Sequence, residues 1–134
     1  MEHTNSANSV SLQPQGYILV KLVGKQDFLS MDEVAKQCKE LTDQIRMQRK
    51  PILGLVDFSQ DQGFSTGTNK AVMRALEEIE YDRIAMFGTN AVLGEVTKTV
   101  IAALGKADRT KVFGTREEAL AWLLMRDPVH GYGN

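Results

Sequence analysis

The stretch Ile52 to Phe58, Ile-Leu-Gly-Leu-Val-Asp-Phe, carries a single charge, Asp57. A near-continuous apolar run of this kind lacks the in-out alternation of a half-solvated strand. It predicts a strand covered on both faces, the situation of a parallel sheet. A chain of 134 residues has room for one such domain and is long enough to bury a core without disulfides.

The flanking segments alternate in period. Tyr17 to Val23 (Tyr-Ile-Leu-Val-Lys-Leu-Val) is rich in β-branched and aromatic residues and reads as a strand that Gly24 ends. Ser30 with Glu33 is a capping-box pair that opens a helix. Met31, Val34, Ala35, Cys38, Leu41, Thr42 and Ile45 then form one apolar stripe until Lys50-Pro51 stops it. After Phe58 the segment Ser59 to Gly63 reads as a polar loop. A second helix is expected from about Ser65 or Thr66, burying Val72, Ala75, Leu76 and Ile79. Arg83 to Phe87 is a third strand, and Gly88-Thr89-Asn90 turns into a third helix with Leu93, Val96, Thr97, Val100, Ile101 and Leu104 inward. Gly105 suits its C-cap. Lys111 to Phe113 is a last short strand. Thr115 with Glu118 caps a final helix whose inner face holds Ala119, Trp122 and Leu123, so Trp122 is expected to be largely buried.

The order β-α-β-α-β-α-β-α predicts an α/β fold, a four- to five-stranded, mostly parallel sheet with helices packed against it. The fifth strand would be Val10 to Leu12 at an edge. Residues 1–15 read as a flexible lead-in, 16–126 as the domain and 127–134 as a flexible tail.

Sixteen basic and seventeen acidic side chains leave a formal charge of −1, which supplies no general attraction to nucleic acid. Lys25, Lys36, Lys39, Arg46, Arg49 and Lys50 are interspersed with acids and read as a solvated face. The N-terminal residues have no basic start and apolar stretch, and no apolar run reaches the roughly 18 residues of a membrane span. A cytoplasmic protein with no integral membrane segment is expected. The lone cysteine, Cys38, excludes an internal disulfide and a cysteine-pair metal site. Both histidines, His3 and His130, fall in the predicted ends, away from any triad or metal cluster. Neither the dinucleotide fingerprint nor the P-loop pattern occurs. The expectation is a protein that is not an enzyme and uses no cofactor or metal.

Asp57 and Asp61 lie at and beyond the end of the second strand, where ligands of open parallel sheets bind. Gly63-Phe64-Ser65-Thr66-Gly67-Thr68 offers three hydroxyls where a helix is expected to begin, more than one N-cap requires. Asp57, Asp61, Ser65 and Thr66 are therefore candidates for a partner-reading or phosphorylation surface. Met31, Met73, Met86 and Met125 are candidates for the lining of an apolar ligand pocket, since methionine fills irregular apolar space.

Three stretches carry a resemblance to a known family: Leu-Val-Asp-Phe-Ser at 55–59, Arg-Ile-Ala-Met-Phe-Gly-Thr-Asn at 83–90, and Val-Phe-Gly-Thr-Arg-Glu-Glu-Ala-Leu-Ala-Trp-Leu at 112–123. Over about Tyr17 to Met125 the chain resembles a STAS domain, and more closely the SpoIIAA-like, anti-sigma-factor-antagonist-like branch, related in fold to the lipid-binding CRAL-TRIO domains. The resemblance implies helices largely on one side of the sheet, no enzyme activity, and regulation through a protein partner or self-association. It also implies a phosphorylatable residue at the start of the second helix. Matched on Gly67, that position is Thr66, preceded by Ser65, with Phe64 where the family has Asp. The alternative is a binder or carrier of a small apolar, lipid-like ligand between helices and sheet.

Overall fold

The computed structural model describes residues 7–64, 74, 77–89, 97–99 and 101–125, with the side chains of 61–64 outside the description. The elements are β1 (Ser9–Leu12), β2 (Tyr17–Gln26), α1 (Phe28–Met47), β3 (Leu53–Phe64), β4 (Arg83–Phe87), β5 (Thr110–Phe113) and α2 (Arg116–Leu123). Further helical residues at 77–78, 97–99 and 101–103 fall within the two central helices read from the sequence. The remainder of those helices, including Val72, Ala75, Leu76, Leu93, Val96 and Val100, lies outside the described residues.

The five strands form one sheet in chain order. β2 to β5 are parallel to one another, and β1 runs antiparallel to β2 at the edge. The α/β architecture is the one the alternating pattern implies, with Val10 to Leu12 as the fifth, edge strand. The described part of the lead-in is thus strand: Gly16 at φ +95° lets the chain reverse into β2, and Gln13 N–H donates to the Tyr17 carbonyl at 2.8 Å.

Alternate side chains serve two cores, as period two requires. Ile18, Val20, Leu22, Phe58 and Met86 face α1, where Met31, Val34 and Ile45 meet them. Tyr17, Leu53, Leu55, Ala85 and Phe87 face α2 and its Ala119 and Leu123. The last helix therefore covers the face opposite α1, and the apolar run of β3 is buried on both sides for that reason.

Three local expectations are corrected. α1 is capped by Asp27, not opened at Ser30: Ser30 N–H donates to Asp27 Oδ1 at 2.8 Å, and Asp27 N–H donates to Ser30 Oγ at 3.0 Å. Ser30 is the third residue inside, answering the cap in the role that Glu33 was expected to fill. Gly24 does not end β2. At φ +81° it sits in an irregular part of the β2–β3 ladder, and the strand continues to Gln26, which is 1% exposed. The amide of Gln26 binds the strand to the lead-in through Asn8, with Asn8 Nδ2 donating to Gln26 Oε1 at 2.7 Å. Trp122 is half-buried, not largely buried. It lies at the rim of its core against Phe113, ring centroids 5.7 Å apart, with the cations of Arg83 and Lys111 over its ring at 5.9 Å each.

Candidate functional site

The parallel strands deliver their carboxyl ends to one side of the sheet, and β3 reaches furthest. It pairs with β4 as far as Asp57, opposite Phe87, and then runs on to Phe64. The segment Ser59 to Gly63, expected as a polar loop, is strand that pairs with β2: Val23 opposes Gln60, Gly24 opposes Asp61 and Gln26 opposes Phe64. Polarity suggested a loop, but the β2 backbone offers a ladder on one side, and backbone pairing overrides composition there.

The extension is bulged. Between Lys21–Asp57 and Val23–Gln60 the pairing advances by one extra residue on β3, and the same happens again before Gln26–Phe64. An inserted residue leaves a backbone group out of the ladder and sharpens the twist. At the first bulge the Asp57 carboxylate receives that group: Oδ1 accepts from Ser59 N–H at 2.8 Å and from Ser59 Oγ at 2.6 Å. Asp57 is 7% exposed, so its carboxylate holds the strand end together from inside the sheet.

Gly88, following β4, closes the same corner. Its φ is +86°, and a Cβ built there would stand 2.6 Å from Ser59 N and 2.9 Å from Ser59 Cα. Backbone contacts that close admit only glycine. Asp57, Ser59 and Gly88 thus make one knot from which β3 runs on past β4, paired with β2. Ser59 and Gly88 were not singled out from the sequence as a pair. The only local signals are an Asp two residues before a Ser and a Gly after a strand, and neither names its partner.

Of the candidate surface residues, Asp57 is at this knot and Asp61 is on the projecting strand by its backbone. Ser65 and Thr66 follow β3 directly in the chain and lie outside the described residues. At the same end, the first turn of α1 leaves Phe28 and Leu29 exposed, at 42% and 59%.

The methionines divide. Met31 and Met86 line an apolar cavity of about 120 Å³ between α1 and the sheet, together with Val34, Cys38, Tyr81 and Ile84. Met125 lies beyond the end of α2 and is exposed, away from that cavity, and Met73 lies outside the described residues. Cys38 is half-buried on the cavity wall, where desolvation pushes its thiol up to about 11. Burial also raises the Tyr81 phenol, against the opposing pull of its 2.6 Å hydrogen bond with Thr110. Among the described residues no three His, Cys, Asp or Glu side chains converge as metal ligands, and no helix is long and apolar enough to cross a membrane.

The fold has solved counterparts. An uncharacterised protein of the DUF3478 family with a SpoIIAA-like fold, from Shewanella loihica PV-4, superposes with a TM-score of 0.61 at 20% identity, over 92% of this chain and 98% of that one. The anti-sigma factor antagonist SpoIIAA in its unphosphorylated form gives 0.58 at 14% identity, over 87% and 96%. The Bacillus cell fate determinant SpoIIAA in its phosphorylated form gives 0.51 at 16% identity, over 87% and 98%. At these identities the likeness is one of fold. No curated protein matches the chain. The family profile described as SpoIIAA-like matches residues 17–124, the span from the first residue of β2 to just past α2, and the chain therefore belongs to the SpoIIAA-like family.

Proposed function

We propose that the chain is a non-catalytic regulatory module of the cytoplasm that docks a protein partner at the carboxyl end of its parallel strands. One observation carries this reading. β3 outruns β4 and projects from the Asp57–Ser59–Gly88 knot, pairing beyond Asp57 with β2 among the described strands. A projecting strand offers backbone groups that a partner reads by adding a strand or by laying a loop along it. The exposed Phe28 and Leu29 add apolar area at that end. Asp57 supports the surface by holding its shape. Ser65 and Thr66, next in the chain, are where a phosphate would change the charge that the partner meets.

The test is a double substitution, Ser65→Asp with Thr66→Asp. Two carboxylates added at the expected start of a helix are tolerated or mildly favourable, so the melting temperature is expected to stay level or rise slightly. A partner docking there meets new charge and loses complementarity. Quantitative pull-down from native cell extract, wild type against the double variant, is expected to lose a partner several-fold. Identical partner lists from two equally stable proteins would sink the docking surface.

The cavity supports a second reading, the binding of a small apolar ligand against Met31 and Met86. A cavity of about 120 Å³ approaches the roughly 150 Å³ at which an apolar void takes up benzene-sized guests. Cys38 on its wall provides the readout. With its thiol pushed up to about 11 from the ordinary 9.0, the thiolate fraction at pH 8 falls about a hundredfold. Labelling by iodoacetamide is therefore expected to be slow in the native protein, to accelerate as pH rises towards 11, and to slow further when a guest occupies the cavity. Labelling of the folded protein at the rate of free cysteine would mean that the cavity is open to water.

A further inference from the structure

The other end of the sheet, where the chain enters the parallel strands, carries a groove of about 310 Å³. Three separate segments bound it. Arg46, Arg49 and Lys50 come from the end of α1 and the connection to β3, Glu80 and Asp82 precede β4, and Arg109 precedes β5. Ile52 and Tyr81 are its buried walls. Four cations therefore share one concavity with two carboxylates, in a chain whose formal charge is −1. One of those carboxylates is already engaged, since Asp82 Oδ2 accepts from Ile52 N–H at 2.7 Å. Read along the sequence, these bases look like a solvated face. The fold gathers them with Arg109 from a distant segment.

The exposed ion pairs at the rim are weak ones. Arg46 Nη1 is 3.2 Å from Asp43 Oδ1, and Arg109 Nε is 3.7 Å from Asp108 Oδ1, with these side chains roughly half exposed or more. Pairs of that kind contribute little and are readily exchanged for a better anion. Arg49 and Lys50 make no ion pair among the described residues.

Arg49 is also unusual in its backbone. α1 ends in a Schellman motif: Arg49 N–H donates to the Arg46 carbonyl at 2.9 Å and Lys50 N–H to the Ile45 carbonyl at 3.4 Å. The residue in the left-handed position of that motif is ordinarily glycine. Here it is Arg49, at φ +57°. Attraction to the helix C-terminus accounts for a base in the last turn, such as Arg46, but not for an arginine at a position where glycine is less strained, nor for Arg109.

We infer that this groove binds a phosphate-bearing anion through Arg46, Arg49, Lys50 and Arg109. Three guanidinium forks and an ammonium suit a multi-oxygen, doubly charged group, whereas one carboxylate would occupy a single fork. The volume suits a small phosphate ester. Ile52 and Tyr81 also wall the apolar cavity, so the phosphate belongs either to a soluble ester or to the headgroup of an anionic lipid. The site is at the opposite end of the sheet from the docking surface, and each stands or falls without the other.

The full chain is titrated with inorganic phosphate and with glycerol 3-phosphate, followed by backbone amide NMR, with sodium chloride at matched ionic strength as the control. Binding to vesicles containing phosphatidic acid, whose headgroup is a phosphate monoester, and to phosphatidylcholine vesicles is measured by co-sedimentation. Saturable shifts at residues 46–50, 52 and 109 with inorganic phosphate or glycerol 3-phosphate identify a soluble source. Sedimentation with the phosphatidic acid vesicles and not with phosphatidylcholine identifies the lipid source. In either arm Arg109→Gln is expected to weaken binding about tenfold and Arg49→Gly about fivefold. Arg49→Gly also relaxes the helix end, so its melting temperature is expected to match or exceed that of the wild type. A more stable Arg49→Gly protein with weaker binding separates a ligand site from a structural role. The inference is overturned if no phosphate probe binds in either arm, or if both substitutions leave binding unchanged.

Discussion

Gly88→Ala is expected to destabilise the protein by roughly 2–5 kcal/mol, measured as the change in unfolding free energy by denaturant titration. Two costs add. The backbone at φ +86° is left-handed, a conformation that costs an ordinary residue about 1–2 kcal/mol. The new Cβ would also arrive 2.6 Å from Ser59 N and 3.1 Å from the carbonyl carbon of Phe58, both backbone atoms of β3 that no rotamer change removes. Something must shift, and forced repacking adds about 1–3 kcal/mol. The atom displaced is the N–H held by Asp57, so the same substitution should broaden or move the amide resonances of Ser59 and Gln60 on the projecting strand. Gly24→Ala is the control: its φ is also positive, at +81°, but a Cβ there meets nothing within 4 Å. It should show the conformational cost alone. Equal losses at the two positions would mean that the β3–Gly88 approach is looser than described.

Leu123→Ala is expected to cost about 3–5 kcal/mol, and Trp122→Ala, its larger neighbour, less, about 1–3 kcal/mol. Leu123 is 0% exposed, enclosed with Leu55, Ala85 and Ala119 between α2 and the sheet. Removing it leaves a cavity that rigid strands cannot close. Trp122 stands at the rim, with part of its ring in solvent and part under Arg83 and Lys111. The cations return to water when the ring goes. The backbone contacts that tie Arg83 to the end of α2, Nη1 to the Trp122 carbonyl at 3.3 Å and Nη2 to the Met125 carbonyl at 3.0 Å, survive the change. Parallel urea melts of the two variants decide the order. A larger loss at Trp122 would restore the enclosed indole that its helical position suggested.

The half-burial of Trp122 shows what kind of information a helical stripe holds. Ala119, Trp122 and Leu123 do share a face, as their spacing indicates, but the face is wider than the contact, and only its centre is covered. The cap of α1 is a similar case. Asp27 and Ser30 satisfy the pairing that Ser30 and Glu33 advertised, because a short acceptor three residues upstream of a serine does the same work as the reverse arrangement. In both cases residue types set the element, and atomic distances chose which residue sits where.

The candidate site divides along the same line. The position of Asp57, as the one charge in an otherwise apolar strand, can be read from the sequence because it rests on local residue types. That the strand is bulged there, and that the carboxylate turns onto Ser59, follows from pairing with β2, a partner more than thirty residues earlier. Met31 and Met86 meet across one cavity because α1 packs on the sheet face that β4 shares, whereas Met125 follows the helix on the opposite face. Residue type alone could not separate them.

What the sequence by itself determined is the alternation of strand and helix, the parallel sheet and the burial of its middle strand, because these rest on local periodicity and on the requirement that apolar faces be covered. Only the tertiary structure decided how far β3 projects, which glycine backs it, and that Arg49 and Arg109 share one groove. Those outcomes depend on register and crossing between segments far apart in the chain, where a shift of one residue changes every neighbour and leaves the local pattern untouched.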